Sequence, residues 1–324
     1  MSKVFISKIE NDLGSKILAG LEWVNWEKIM KPDSVVFVKP NFCLDEYLPS
    51  VTTSPQFLDE LLRILKSRCS KVIVGESNAH NFYVEAAFKS HNTYEICKNR
   101  KVELYNLSKL PTSWVETRVG NRNIRVEVSK LVMEADVVIT TPVLKTHPWS
   151  KVTISLKNQF GCIPDSMRLL YHSKLDYAIV AMNKILKPQL TLIDATYALN
   201  GGGVVYKKMG SKYRDPIRFD TIIISDDLVA ADSIGCYMMG YKPSTVRHIK
   251  LAEAEQLGTT NLNKILIHGQ LPVPVKCYVK RDLMDNIVYV VDKNYLSSKL
   301  VFDSPITPVL YSVFKARKIP KRIF

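Results

Sequence analysis

The sequence lacks paired cysteines. Six are present, at positions 43, 69, 97, 162, 236 and 277, and no two are spaced as Cys-x-x-Cys. That excludes a zinc ribbon and a local ferredoxin-type cluster motif; the cysteines read as reduced, mostly buried thiols. No uninterrupted apolar run approaches the ~20 residues that a membrane-spanning helix needs. The opening MSKVFISKIENDLGSK has no apolar core ahead of its acids, so the expectation is a cytoplasmic protein. No linker rich in Pro, Gly or Ser, no internal repeat and no low-complexity tract interrupts the chain. No Gly-Lys-Ser/Thr completes a Walker A loop, no Gly-x-Gly-x-x-Gly opens a helix, and no RNP-like aromatic strand occurs. Acid is missing after Asp303.

What is there is a chain of 324 residues, 46% hydrophobic, with an ordinary charged fraction of 23%. That is enough apolar material for one large or two medium cores. The net charge of +14 would attract polyanions such as nucleic acid, anionic lipid or phosphorylated substrates. The excess is uneven, because Lys315, Arg317, Lys318, Lys321 and Arg322 follow the last acid. The tail reads as a solvated basic end. Its alternative role is attachment to nucleic acid or to an anionic membrane surface, with Leu310, Tyr311, Val313 and Phe314 as apolar partners.

Short Val- and Ile-rich runs alternate with longer helical patterns. SVVFVKPN (34–41), KVIVGESN (71–78), ADVVITTP (135–142), LTLIDA (190–195), DTIIISDD (220–227) and KILIHG (264–269) read as strands covered on both faces. SPQFLDELLRILKSR (54–68) places Phe57, Leu58, Leu61, Leu62 and Leu65 on one helical face behind Ser54 as N-cap. Residues 166–186, 227–240 and 245–258 are further helices, the last two stopping at Gly240 and Gly258. ELYNL (103–107) and NIRVEVS (123–129) read as antiparallel additions, and NIVYVV (286–291) as a strand. The alternation predicts an α/β fold with a mainly parallel sheet flanked by helices over 1–270. There is room for two lobes meeting near 140–190, and 271–324 forms a C-terminal appendix ending in the basic tail.

Ligands of open α/β sheets bind at the carboxyl ends of the strands. Those ends carry Lys39 and Asn41; Glu76, with His80 slightly further; Lys145 and His147; Asp194, then Gly201, Gly202 and Gly203; and Asp226 with Asp227. Together they suggest a shared polar rim. Each has a plainer reading: a turn for Lys39, a helix cap for Glu76, Asp226 and Asp227, and a flexible turn for the glycines, whose amides could otherwise approach a phosphate. Asp232, inside a helix, faces either solvent or the cleft. Pro142 and Pro148 bracket VLKTH as an ordered loop. VTISLKNQFG fits strand and helix alike; a helix starting near Ser150 and ending at Gly161 would aim free N–H groups at an anion, helped by Lys145, Lys151 and Lys157. His80, His147 and His172 with Glu76 or Asp194 are the right donor types for a metal, although no His-x-x-x-His spacing supports one.

VKPNF (38–42), VGES (74–77), TTPVLKTH (140–147), VTISLKNQFGCIP (152–164), His172, LTLIDA with GGG, SDDLVAADSIG (225–235) and MMG (238–240) occur in this order. In that combination the chain resembles the family numbered 362 among the domains of unknown function, over about residues 34–260. The resemblance implies a prokaryotic α/β protein whose chemistry has no general assignment. Many relatives carry an added ferredoxin-like segment with four-cysteine iron–sulfur motifs; this chain has no such motif, so no cluster is carried over. Lys39, Asn41, Glu76, Lys145, His147, Lys157, Asn158, His172, Asp194 and Asp232 stand where the family motifs stand.

The expectation is therefore an enzyme acting on a small phosphorylated or carboxylated anion, metal-assisted or redox-linked. Lys39, Asn41, Lys145, Lys157, Asn158, His172, Gly201 and Gly202 would hold the anion. His147 would move a proton, with Lys145, Glu76 and Asp194 beside it, and Asp232 and Asp227 would hold a divalent metal. The alternative is a basic module that binds nucleic acid or a membrane surface.

Overall fold

The structure, a computed structural model, describes residues 1–10, 12–79, 82–202, 216–281, 283–305 and 307. His80, Gly203 and the basic tail lie outside the described residues. Its strands are β1 (Ser2–Lys8), β2 (Val35–Pro40), β3 (Lys71–Glu76), β4 (Glu103–Asn106), β5 (Thr112–Val119), β6 (Arg122–Ser129), β7 (Val137–Thr141), β8 (Val143–His147), β9 (Lys151–Thr153), β10 (Leu190–Leu199), β11 (Pro216–Ser225) and β12 (Ile265–His268). Ten of them make one sheet, in the order β12-β1-β11-β10-β7-β2-β3-β4, with β8 paired to β10 and to β9. β10, β7, β2, β3 and β4 are mutually parallel, whereas β11 runs against both β1 and β10. The fold is α/β with a mainly parallel sheet, and that sheet runs without a break through 137–199.

Period-two alternation explains the two cores. Along β2, Val36 and Val38 point into one core and Phe37 into the other, opposite Ile73 of β3 and Val138 of β7. The first core is covered by the helices Leu13–Trp23 and Pro55–Lys66; Ser54 caps the latter by accepting from the Phe57 amide. The second is covered by the helices Leu175–Leu186 and Leu228–Met238 and by the β5–β6 hairpin, which forms its own two-stranded sheet. From β2 the chain steps outward to β3 and β4, then returns to lay β7 on the other side of β2. That reversal opens a crevice at the carboxyl ends of β2 and β7, where ligands of such sheets bind.

Several local expectations are corrected. Residues 143–147 form β8 rather than a loop, because β10 and β9 offer edges for their backbone groups. β4 joins β3 in parallel and is not antiparallel. Residues 286–291 belong to the helix Leu283–Asp292, which pairs with Tyr295–Phe302; the Val291 carbonyl accepts from the Ser297 and Ser298 hydroxyls, so tertiary contacts override the β-branched run. β1 and the helix Leu13–Trp23 were not foreseen.

The most consequential correction concerns VTISLKNQFG. Residues 151–153 are β9, and a single turn, Ser155–Asn158, follows. The Ser155 and Leu156 amides donate to the Asp232 carboxylate at 2.7 and 3.1 Å. The amide cluster expected to receive an anion therefore already has one from the protein. Asn183 binds the same turn, donating to the Leu156 carbonyl at 2.8 Å. Burial pushes the Asp232 carboxyl up to about 7, against the Ser155 and Leu156 hydrogen bonds that pull it down. A raised folded-state pKa favours the protonated fold, so this stabilisation is present below about pH 4 and lost as pH rises through about 7. In denaturant melts across that range, wild type should lose on the order of 2–4 kcal/mol relative to Asp232→Asn; a pH-independent difference would contradict the assignment.

Candidate functional site

The crevice is built on a buried ion pair. Lys39 is the last residue but one of β2, Glu76 ends β3, and their side chains meet with 1% of each exposed. The Lys39 ammonium also donates to its neighbour's carbonyl, Pro40, at 2.7 Å. Glu76 accepts further from the Ser77 amide at 2.9 Å and the Phe42 amide at 3.3 Å, so its carboxylate is fully engaged. Gly161 lies against the pair: a Cβ there would stand 2.8 Å from the Lys39 nitrogen and 2.9 Å from a Glu76 oxygen.

A hydrogen-bonded chain crosses from this pair to β8. Lys145 donates to the Asn41 side-chain oxygen at 2.5 Å and to the Val51 carbonyl at 2.8 Å, with the Cys43 sulfur 3.4 Å away. Asn41 donates to Asn158 at 2.8 Å. Asn158 in turn donates to the Lys39 carbonyl at 3.1 Å and the Thr140 hydroxyl at 2.7 Å. β2, β7, β8 and the 155–158 turn are locked together, which delivers Lys157 to the crevice. Arg168 closes the other side, donating to the Ser77 hydroxyl at 2.5 Å and to the Asn78 carbonyl at 2.9 Å.

Cations outnumber anions here. Lys145 and Arg168 are buried among neutral oxygens. Lys157, half-buried, has no ion-pair or hydrogen-bond partner among the described residues. Burial brings its amine down to about 7, helped by Lys145 and Arg168 and opposed by Cys43. Glu76 is the carboxylate that acts on Arg168, and Lys39 already neutralises it.

His147 and His172 adjoin through Trp149, whose ring centroid lies 5.5 Å from each imidazole. The Trp149 and Ser150 amides donate to His147 Nδ1 at 3.2 and 3.3 Å, which assigns the ring hydrogen to Nε2. Burial, with Lys157, His172 and Lys145 adding repulsion, holds His147 well below the ordinary histidine range. It is a neutral donor, not the near-neutral proton carrier that its ordinary pKa suggested. His172 pairs through Nδ1 with Asp292 at 2.9 Å. The appendix thus forms a wall of the site, and Arg281 adds a hydrogen bond to the Pro148 carbonyl at 3.0 Å.

Other expected site residues stand apart. Asp194 accepts from the Ser54 amide and from Thr196, and lines a separate cavity of about 360 Å³ with Tyr47 and Arg218. Asp227 caps the helix Leu228–Met238 and accepts from the Ser2 hydroxyl and Thr259 amide. Asp227 and Asp232 are thus engaged as separate caps instead of sharing a cation. Among the described residues no three His, Cys, Asp or Glu side chains converge as a metal site. Gly201 and Gly202 take positive φ, 97° and 82°, yet their amides donate to the Tyr278 carbonyl and the Thr146 hydroxyl. They fasten the 278–280 segment and are not free for a phosphate. Arg168, Cys43, Trp149 and Asp292 escaped the sequence reading; Arg168, four residues ahead of His172, was absorbed into a helical pattern.

The model of the family described as "Domain of unknown function (DUF362)" matches residues 36–237. The chain belongs to this family. A curated relative, "Thylakoid-associated protein sll1697" of Synechocystis sp., is 27% identical over 244 residues, covering 71% of this chain and 70% of that protein. The lactate racemase apoprotein of Thermoanaerobacterium thermosaccharolyticum superposes with a TM-score of 0.41 at 15% identity, over 60% of this chain. The match spans half of that racemase chain. Among the described residues, no helix is long and apolar enough to cross a membrane.

Breaking the Lys39–Glu76 pair leaves a buried charge alone. Lys39→Met or Glu76→Gln should each cost about 3–5 kcal/mol, and the double variant should cost less than the two together. Urea melts of the three variants check this; additive losses would contradict the pairing.

Proposed function

We propose that this family member is an enzyme that binds a small carboxylated or phosphorylated anion in the crevice and moves a proton on it with Lys157. The observation that carries this reading is the geometry around Lys157, which has no ion-pair or hydrogen-bond partner among the described residues and lies beside the buried Lys145 and Arg168. An anionic substrate would supply the missing charge. Lys145 and Arg168 keep their neutral partners and provide a positive field, which is strong where water is scarce.

The pKa of about 7 leaves comparable amounts of amine and ammonium at neutral pH, the condition for an effective general base or acid. The amine would take a proton from the substrate and later return it. His147, held neutral with its hydrogen on Nε2, would donate to an oxygen that gains negative charge during transfer. Lys39 and Glu76 act as positioning residues, since both are engaged by each other and by the backbone.

Calorimetric titration with inorganic phosphate and with malonate tests it. Wild type should bind an anion at pH 6, and affinity should fall as pH rises through about 7, where Lys157 loses its charge. Lys157→Met should weaken binding about tenfold or more at pH 6, equivalent to about 1.4 kcal/mol, and flatten the pH dependence. Equal affinity in the variant, or unchanged pH dependence, would refute the role of Lys157.

A further inference from the structure

A second cleft, of about 520 Å³, lies beside the 155–158 turn. Its lining includes Leu156 but neither Lys157 nor Lys145, and its volume is that of a small-molecule site. The helix Leu175–Leu186 contributes Asn183 and, just past its end, Lys187, one helical turn apart. Asp226 and Asp227 enter the cleft from just past the carboxyl end of β11.

Three polar groups here have unused capacity. The Asn183 side-chain nitrogen donates to the Leu156 and Ile179 carbonyls, both at 2.8 Å, which fixes the orientation of the amide. The Asn183 oxygen is buried and has no donor among the described residues. A buried acceptor in that state is costly until a donor reaches it. Asp226 uses one carboxylate oxygen to accept from the Lys3 amide at 2.7 Å, and its other oxygen has no partner among the described residues. Burial raises the Asp226 carboxyl above its ordinary range, against the Lys3 hydrogen bond, and the Asp227 charge raises it further. Lys187 is exposed, and its ammonium has no partner among the described residues. Asp227, by contrast, is filled by the Ser2 hydroxyl and by the Ala230 and Thr259 amides.

The unused groups are two acceptors, one of them charged, and one cation. Leu156, Pro188, Leu228 and Leu257 supply apolar wall between them. A simple carboxylate would meet repulsion from Asp226 and Asp227. A simple amine would leave Lys187 without a partner. A zwitterion meets both signs, and the leucines fit an aliphatic substituent on it. Met1 also lines the cleft, and its amino group pairs with neither acid among the described residues.

We propose that this cleft binds a free aliphatic α-amino acid, with its ammonium on Asp226 and the Asn183 oxygen, its carboxylate on Lys187 and its side chain against the leucines. Occupancy of the cleft requires none of the chemistry proposed for the crevice.

Calorimetric titration of the full chain with L-alanine, L-valine and L-leucine tests this. At least one should give a saturable isotherm. For leucine, the matched fragments are 3-methylbutylamine and 4-methylpentanoate, which lack the carboxylate and the ammonium respectively. Each should bind about tenfold or more weakly than the whole amino acid. Asp226→Asn keeps an oxygen for the Lys3 amide and so should fold normally by circular dichroism, yet it should weaken amino-acid binding about tenfold or more. Lys187→Met, at an exposed position, should remove the advantage of leucine over 3-methylbutylamine. Absence of saturable binding for all three amino acids would overturn the proposal. So would an amine that binds as tightly as its amino acid, or full affinity in Asp226→Asn. Binding lost in Lys157→Met but kept in Asp226→Asn would assign the ligand to the crevice and likewise overturn it.

Discussion

The buried pair of Lys39 and Glu76 fixes the geometry of everything around the crevice. Two charges removed from water are tolerable only when each finds the other and their remaining hydrogen-bonding capacity is filled. Here the pair joins the ends of neighbouring parallel strands, takes two backbone amides onto the carboxylate and lies so close to Gly161 that a Cβ there would displace one of the two side chains. With Gly161 seated, Asn158 reaches the Lys39 carbonyl and the 155–158 turn is pinned. Lys157, which has no ion-pair or hydrogen-bond partner among the described residues, is carried by that pinned turn.

A second constraint comes from behind. Asp232 accepts the two free amides that start the turn, and Asn183 donates to the Leu156 carbonyl. A helix start without that carboxylate would itself attract an anion. With it, the amides that start the turn are taken, and in the function proposed above Lys157 is the group that an incoming anion would meet. The C-terminal hairpin completes the enclosure through Asp292 and Arg281, so what reads as an appendix along the chain is part of the site in space.

The strand pattern was legible because buried parallel strands are short continuous apolar runs bounded by polar ends, as at 71–78 and 190–195. The helix at 54–68 was legible from its apolar stripe and its serine cap. Strand-end reasoning brought Lys39, Asn41, Glu76, Lys145 and His147 to one edge of the sheet, and the structure places these five with Lys157 and Asn158. Roles were less legible than places. Glu76 and Asp232 look alike as carboxylates in sequence, yet one balances a lysine and the other caps a turn. Asp194 was expected at a strand end, but β10 continues to Leu199, and the carboxylate turns to the Ser54 amide, a partner 140 residues away. Arg168 and Asp292 were hidden because helical periodicity says nothing of which cation or acid a distant loop will meet. β8 was missed because its strand character depends on the edges of β9 and β10.

The account rests on Lys157 being an uncompensated amine poised near neutrality. Side-chain nitrogen NMR of the lysine amines, assigned through Lys157→Met and followed across pH with and without inorganic phosphate, measures this directly. The account predicts a Lys157 titration near 7 in the absence of anion, moving upward when phosphate is added. A titration near the ordinary lysine value of about 10.4, unchanged by the anion, would contradict it.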